Sequence, residues 1–429
     1  MKKILFLIDI KSRDLPSSSL IGYELKKRGY EVFFCALHEE DQFLKKIKPN
    51  CIVINKPIYF DEKILKWKLL GIKIISFDTE GNPQDKFCLY KIKIFPDLLI
   101  YWNKIEKLKY EKYFKLKNSL FTGPIPKTFV GGGIRIDFFH KKFQKIFLKQ
   151  KNNSKKKIIT VASSTQEAHL SNRQVNKIYQ IRQKTMDQSV DYFKIVKMMK
   201  NNLNLNIQLL EYLNKQKGYK IYFKPHPNEN MKKWKKIFKL KKLNNIKFFN
   251  RNINYLLSNS ELHIANSVCT TTFEAKLKGI KTIEIQSKIC SSLWKKDHLN
   301  LPDFVIKSKN EFNTIKNIKK KRNTFFNSYI NKYYSFFDGK NYIRYANIVD
   351  NYLSKEENLE YKYILFTLIN FLFLNFKRHL SHKILNFFVI NHNQNNQIIG
   401  NYDSRGRFDH RMKNNDEKKY FKIFRKLKI

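Results

Sequence analysis

Three short segments carry residues whose types and spacing can do chemistry, and each comes directly after an apolar run. Ser76-Phe77-Asp78-Thr79-Glu80-Gly81 places two carboxylates two residues apart before a glycine turn. A carboxylate at a strand end in a cleft can take the proton of an attacking hydroxyl; Asp78 or Glu80 could equally cap the next helix. Lys224-Pro225-His226-Pro227-Asn228-Glu229 follows the run YKIYF. Two prolines fix the backbone on either side of His226, so its imidazole stands on a stiff turn beside Lys224, where both can donate to a phosphate oxygen. Asn266-Ser267-Val268-Cys269-Thr270-Thr271-Thr272-Phe273-Glu274 reads as a strand, a hydroxyl-rich turn and a helix start. Free N–H groups and the dipole at a helix N-terminus favour an anion, although Thr270 or Thr271 could simply be an N-cap.

Such residues are useful only at the carboxyl ends of parallel strands, where open α/β sheets bind ligands. The order of elements predicts such sheets. Apolar runs at 4–9, 31–37, 51–55, 73–77 and 97–102 alternate with helical patterns, with Ser17 to Ser19 as expected N-caps and Gly29 and Gly71 as C-terminal stops. Three glycines, Gly131 to Gly133, interrupt the next apolar run, and a basic, turn-rich stretch follows to about residue 150. A second series then opens at 157–164 and continues through 220–224, 245–250, 261–267 and 281–286, with a helical, Asn-rich insertion at 170–217. Two consecutive doubly wound domains, 1–150 and 151–310, are the expected parse, followed by helices at 311–355 and an apolar and basic tail at 356–429.

The chain has 429 residues with 85 Lys and Arg against 36 Asp and Glu, a net charge of +49. With 42% hydrophobic and 15% aromatic residues it can bury real cores, which excludes a wholly disordered basic protein. The charge is spread over the whole chain and implies attraction to polyanions or to an anionic membrane surface. No zinc-finger, helix-turn-helix or RNP-like pattern points to specific nucleic-acid recognition. Cys35, Cys51, Cys88, Cys269 and Cys290 stand far apart without a CxxC pair, as expected of a reduced, cytoplasmic protein without structural zinc. The amino-terminal run is broken by Asp9 and Lys11 and is expected to be a first strand rather than a signal peptide. The most apolar stretch, 363–376, is shorter than the roughly 20 residues that span a bilayer; it could lie in a membrane interface or form a buried helix.

In this order and spacing the chain resembles the bacterial surface carbohydrate biosynthesis proteins. The residues that carry the resemblance are Arg13-Asp14-Leu15-Pro16, Thr79-Glu80-Gly81, Gly133-Ile134-Arg135-Ile136-Asp137, Lys224-Pro225-His226-Pro227 with Glu229 and Trp234, Cys269-Thr270-Thr271 with Glu274-Ala275 and Gly279, and Asp338-Gly339 with Arg344. More loosely, the acidic turn, the His-Pro turn and the Ser/Thr turn are similar to those of bacterial sialyltransferases and Kdo transferases. The resemblance implies a GT-B fold, two Rossmann-like domains facing across a cleft, with a helical C-terminal tail. It implies a metal-independent glycosyltransferase without a cofactor, inverting transfer from a nucleotide-sugar donor, CMP-sugar before UDP-sugar, to a glycan or lipid-linked acceptor of capsule, O-antigen or lipopolysaccharide.

Carried over, Glu80 or Asp78 would be the base, while His226, counted with them as catalytic, and Thr270 or Thr271 would hold the nucleotide phosphate; Lys224 and Ser267 are further substrate-binding candidates. Glu274 would lie near the ribose, and Arg13 and Arg135 would contribute to substrate binding. The three consecutive glycines and the long helical insertion after Ser163-Ser164-Thr165 depart from the usual pattern. Two other readings compete: a CDP-alditol glycerophosphotransferase, which would use similar turns, and a non-enzymatic basic protein that binds polyanions or membranes.

Overall fold

The computed structural model describes residues 1–9, 11–37, 39–55, 61–77, 89–90, 92, 94–117, 123–146, 157–187, 191–226, 229–249, 253–266, 269–321, 323–355, 369, 372 and 416–426. The chain divides into two compact units. Unit 1 comprises Met1–Gly81, Tyr90–Asp137 and Asn331–Ile429; unit 2 comprises Asn82–Leu89 and Phe138–Ile330.

Unit 1 is built on six parallel strands, β1 (Lys3–Ile8), β2 (Glu31–Ala36), β3 (Cys51–Ile54), β4 (Lys73–Phe77), β5 (Leu98–Tyr101) and β6 (Lys127–Val130), in the order β2-β1-β3-β4-β5-β6. β1 lies between β2 and β3, with Phe6 opposite Phe34 on one side and Val53 on the other. Ile4 to Ile8 and all of β3 are buried, which is why these strands read as unbroken apolar runs: helices cover both faces.

The first helix, Lys11–Lys27, starts six residues before the expected serine caps. Ser17, Ser18 and Ser19 lie inside it and are buried. Small side chains there let the helix press closely on its neighbours, and tertiary packing overrides the capping preference that serines express at a free helix end. Pro16 is accommodated within the same helix.

The three consecutive glycines Gly131 to Gly133 form a seat for a later segment of chain. A Cβ on Gly131 would stand 2.3 Å from the Tyr345 ring, and one on Gly132, where φ is +86°, would stand 2.3 Å from Asn341 Oδ1. Tyr345 OH donates to the Gly132 carbonyl at 3.0 Å, and Asn341 Nδ2 to the Gly133 carbonyl at 3.1 Å. Glycine is required because backbone and aromatic ring touch directly. Asp137, which follows this turn, accepts the backbone N–H of Tyr342 at 2.9 Å, in the first turn of the helix Asn341–Ser354.

The basic helix Asp416–Lys426 packs on Lys11–Lys27. Tyr23 meets Phe421 and Phe424 at ring-centroid distances of 5.8 and 5.9 Å, and Lys11 pairs with Asp416 at 2.6 Å. Both phenylalanines are buried, so the apolar face of this helix is spent on unit 1. Apart from the exposed Ile369 and Leu372, the apolar stretch 363–376 lies outside the described residues. No helix among the described residues is long and apolar enough to cross a membrane.

Unit 2 carries a second parallel sheet of six strands: β7 (Lys157–Ala162), β8 (Tyr219–Lys224), β9 (Ile246–Phe248), β10 (Leu262–Asn266), β11 (Lys281–Ile285) and β12 (Phe304–Ile306). Their order is β9-β8-β7-β10-β11-β12. The chain starts at the central β7, winds outward to β9, then returns to the other side of β7. The helical insertion becomes Asn172–Thr185 and Tyr192–Asn214, the latter N-capped by Asp191. Leu209 and Leu213 of that long helix pack with Phe223 and Trp234 in the core on this sheet.

Candidate functional site

A doubly wound sheet opens a crevice where its winding reverses, outside the carboxyl ends of the two diverging strands. In unit 2 these are β7 and β10. Two of the three chemistry-bearing segments lie along this edge: Lys224-Pro225-His226 leaves β8, and Asn266 ends β10 ahead of the helix Thr270–Leu277. Ser163-Ser164-Thr165 leaves β7 between them.

Hydrogen bonds stitch these three strand ends together. Ser163 N–H donates to the Lys224 carbonyl at 3.1 Å. Ser164 N–H donates across the reversal to Asn266 Oδ1 at 3.1 Å, and Asn206 Nδ2, from the long helix, donates to the same oxygen at 3.2 Å. The hub is Glu229, which is buried. Its carboxylate accepts Thr165 Oγ1 at 2.8 Å, Trp234 Nε1 at 2.8 Å and the His226 N–H at 3.2 Å, as well as Ser163 Oγ and the Thr165 N–H. The His226 carbonyl accepts the Glu229 N–H at 2.9 Å, so the turn closes on itself. A buried carboxylate with five donors holds the His226 turn rigidly against the β7 turn.

His226 itself is half-buried. Burial lowers the Lys224 pKa from its ordinary value, as expected of an ammonium taken partly out of water. Behind the edge, His263 of β10 is fully buried, with Nδ1 2.8 Å from Thr160 Oγ1 and Nε2 2.9 Å from Thr271 Oγ1. Desolvation pushes its pKa down to about 3, so the ring is neutral and structural. Cys269 Sγ also contacts Thr271 Oγ1, at 3.0 Å, and burial raises its thiol to about 11. The Thr271 hydroxyl is therefore committed inward. Thr270, half-buried at the first position of the helix Thr270–Leu277, is the hydroxyl better placed for a ligand. Glu274, on the same helix, is buried.

The remaining candidates lie elsewhere. Asp78, Glu80 and Ser267 fall outside the described residues. In unit 1, Arg13 is held by its own neighbours: Nε donates to Asp14 Oδ1 at 2.6 Å, and the guanidinium reaches Asp14 Oδ2 at 3.0 Å and Asp9 Oδ2 at 3.1 Å. Arg135 sits half-buried on the 3-10 turn Ile134–Phe139. Asn266 opens the third segment named from sequence and Ser164 lies in the turn before the helical insertion, but neither had a role assigned to it. Their signal was available in the pattern of polar residues directly after β7 and β10, but not the pairing between them.

With this geometry in place, the chain is similar to two solved structures. One is S. aureus MnaA solved with UDP, at 12% identity over 82% of this chain and 97% of that one, with a TM-score of 0.51. The other is a putative UDP-N-acetylglucosamine 2-epimerase from Listeria monocytogenes, at 9% identity over 83% of this chain and 98% of that one, again with a TM-score of 0.51. No family model matches the chain, and no curated protein matches it. At these identities the likeness is one of fold. The fold is GT-B: two Rossmann-like α/β domains and a helical C-terminal segment.

Proposed function

We propose that this protein is a glycosyltransferase that moves a sugar from a nucleotide-activated donor to a glycan or lipid-linked acceptor in surface polysaccharide synthesis. The observation that carries the reading is the clamped edge at the strand reversal of unit 2. There Glu229 fixes the His226 turn to the β7 turn, and Asn266 joins the latter to the end of β10. Fixed donors at such an edge suit the phosphates of a nucleotide.

In the proposed reaction the acceptor oxygen attacks the anomeric carbon from the face opposite the donor phosphate. The carbon–oxygen bond to phosphate breaks, its electron pair stays on the phosphate oxygen, and the configuration inverts. Glu80, or Asp78 two residues before it, takes the acceptor proton. Lys224, the His226 imidazole and the N–H groups at Thr270 and Thr271 meet the charge that develops on the leaving phosphate, each such donor commonly contributing about 3 kcal/mol. No bound metal or cofactor is needed for this step. Both CMP- and UDP-sugars fit the reading; the UDP seen with S. aureus MnaA gives UDP a place beside CMP as a first donor to test. The strongly basic surface would favour an acceptor presented at an anionic membrane.

The test is incubation of the full chain with CMP- and UDP-sugars and lipid-linked or oligosaccharide acceptors, with products read by mass. A sugar added to the acceptor, lost in Glu80→Gln or His226→Ala, supports the reading. Transfer of glycerophosphate from a CDP-alditol, or conversion of a UDP-sugar without an acceptor, would replace it.

A further inference from the structure

Under the opposite, amino-terminal edge of the unit 2 sheet lies a cavity of about 620 Å³, well inside the size range of small-molecule sites. Its rim is set where strands begin: Lys157 of β7, Tyr219 of β8, Leu262 of β10 and Lys281 of β11 all line it. Lys278, Lys316 and Lys320 join Lys157 and Lys281 in the lining, against the single acid Glu261. Glu261 already pairs with Lys157 at 3.3 Å. The lining therefore holds five lysines against one carboxylate.

One of these lysines is held by the fold. Lys278 is half-buried; its Nζ donates to Ser258 Oγ at 2.7 Å and stands 5.5 Å from the centre of the Phe139 ring. Burial lowers its pKa to about 8, against the opposing pull of the Glu274 carboxylate. Lys320 is exposed, with its Nζ 3.8 Å from where a Cβ on Gly279 would stand. Aromatic surface completes the wall, with Tyr212 braced against Phe312 at 5.6 Å and Tyr219 beside it at the strand start.

We propose that this cavity is a second ligand site, separate from the carboxyl edge, that takes a soluble organic phosphate: Lys278 and Lys320 hold the phosphate while the organic part lies along Tyr212, Tyr219 and Phe139. A cluster of lysines near helix ends can also serve only to neutralise helix dipoles. Concavity, aromatic walls and five lysines around one lining acid favour a ligand. The site stands or falls apart from any chemistry at His226.

The test is lysine acetylation of the full chain, read residue by residue by mass spectrometry, with phenyl phosphate as the probe. At four times its dissociation constant, phenyl phosphate should slow labelling of Lys278 and Lys320 about fivefold, the factor by which simple mass action reduces the free site. Lys200, exposed on the helix Tyr192–Asn214, should label at an unchanged rate, and His226→Ala should show the same protection. The K278M/K320M double variant should lose the thermal shift given by phenyl phosphate; should it fail to fold, the footprint on the wild-type chain decides alone. Unchanged labelling, equal slowing at Lys200, or protection by phosphatidylglycerol vesicles but not by phenyl phosphate would overturn the proposal.

Discussion

Ser164 donates its backbone N–H to Asn266 Oδ1 at 3.1 Å, so that the turn after β7 is tied to the last residue of β10 where the sheet of unit 2 reverses direction. These residues are far apart in sequence, and neither is a reactive group. Their pairing fixes the width of the crevice that the fold opens for a ligand. Asn266→Ala removes the acceptor from two donors, Ser164 N–H and Asn206 Nδ2. Stability should fall by about 1 to 3 kcal/mol, the cost of leaving buried donors unmet. Urea denaturation measures it; a variant as stable as the wild type would show that the tie is incidental.

Glu229 should be the most sensitive residue of the candidate site although it touches no reacting atom. Its five donors come from Ser163, Thr165, His226 and Trp234. Glu229→Gln exchanges one accepting oxygen for a donor that faces other donors. It should destabilise the protein by about 3 kcal/mol, in the range seen when a buried charge network loses a partner. Urea midpoints check the loss, and nucleotide affinity should fall in parallel because the His226 turn is released.

Gly131→Ala should be severely destabilising, by about 3 kcal/mol or more for an overpacked contact against a ring that cannot retreat. The added Cβ would lie 2.3 Å from Tyr345, whose side chain is completely buried. Tyr345→Ala in the Gly131→Ala background should recover part of the deficit that Gly131→Ala adds. Thermal melts of the single and double variants separate a steric clash from a loss of chain flexibility.

Asp137 gives a pH dependence with a definite sign. Burial raises its pKa from 3.8 to about 7, against the pull of the Tyr342 and Asn341 backbone N–H groups; Asp338 raises it further and Arg344 lowers it. Between these two values the unfolded chain has released the proton while the folded protein keeps it. The folded state loses ground there as pH rises, by up to about 1.4 kcal/mol per unit. Below 3.8 both states are protonated and the effect vanishes. Asp137→Asn should lack this slope, so wild type and variant should converge in stability toward low pH and diverge toward neutrality. Parallel urea midpoints across the range would contradict it.

Much of the fold was legible locally. Strands such as 4–8 and 158–162 are buried on two faces and so appear as continuous apolar runs, with helices between them. The His226 turn was legible because two prolines flank it. What escaped was whatever depends on partners far along the chain. Ser17 to Ser19 look like caps until the helices that bury them are known. The glycines at 131–133 look like an open turn until Tyr345 and Asn341 arrive. Glu229 carries no local mark of a hub, since its donors include Ser163 and Thr165 on another strand end. The crevice itself follows from strand order, which no single segment encodes.

The central claim is that the clamped carboxyl edge of unit 2 holds a nucleotide. The most direct measurement is a thermal-shift panel of CMP, CDP, UDP, GDP and ADP on the wild type and on His226→Ala. A ligand that binds only the folded state raises its melting temperature, by an amount worth about 2.7 kcal/mol at a hundred times the dissociation constant. The account predicts selective stabilisation of the wild type by one nucleotide, with UDP and CMP the first expected, and loss of that shift in His226→Ala. No shift at millimolar nucleotide, or an equal shift in both proteins, would contradict it.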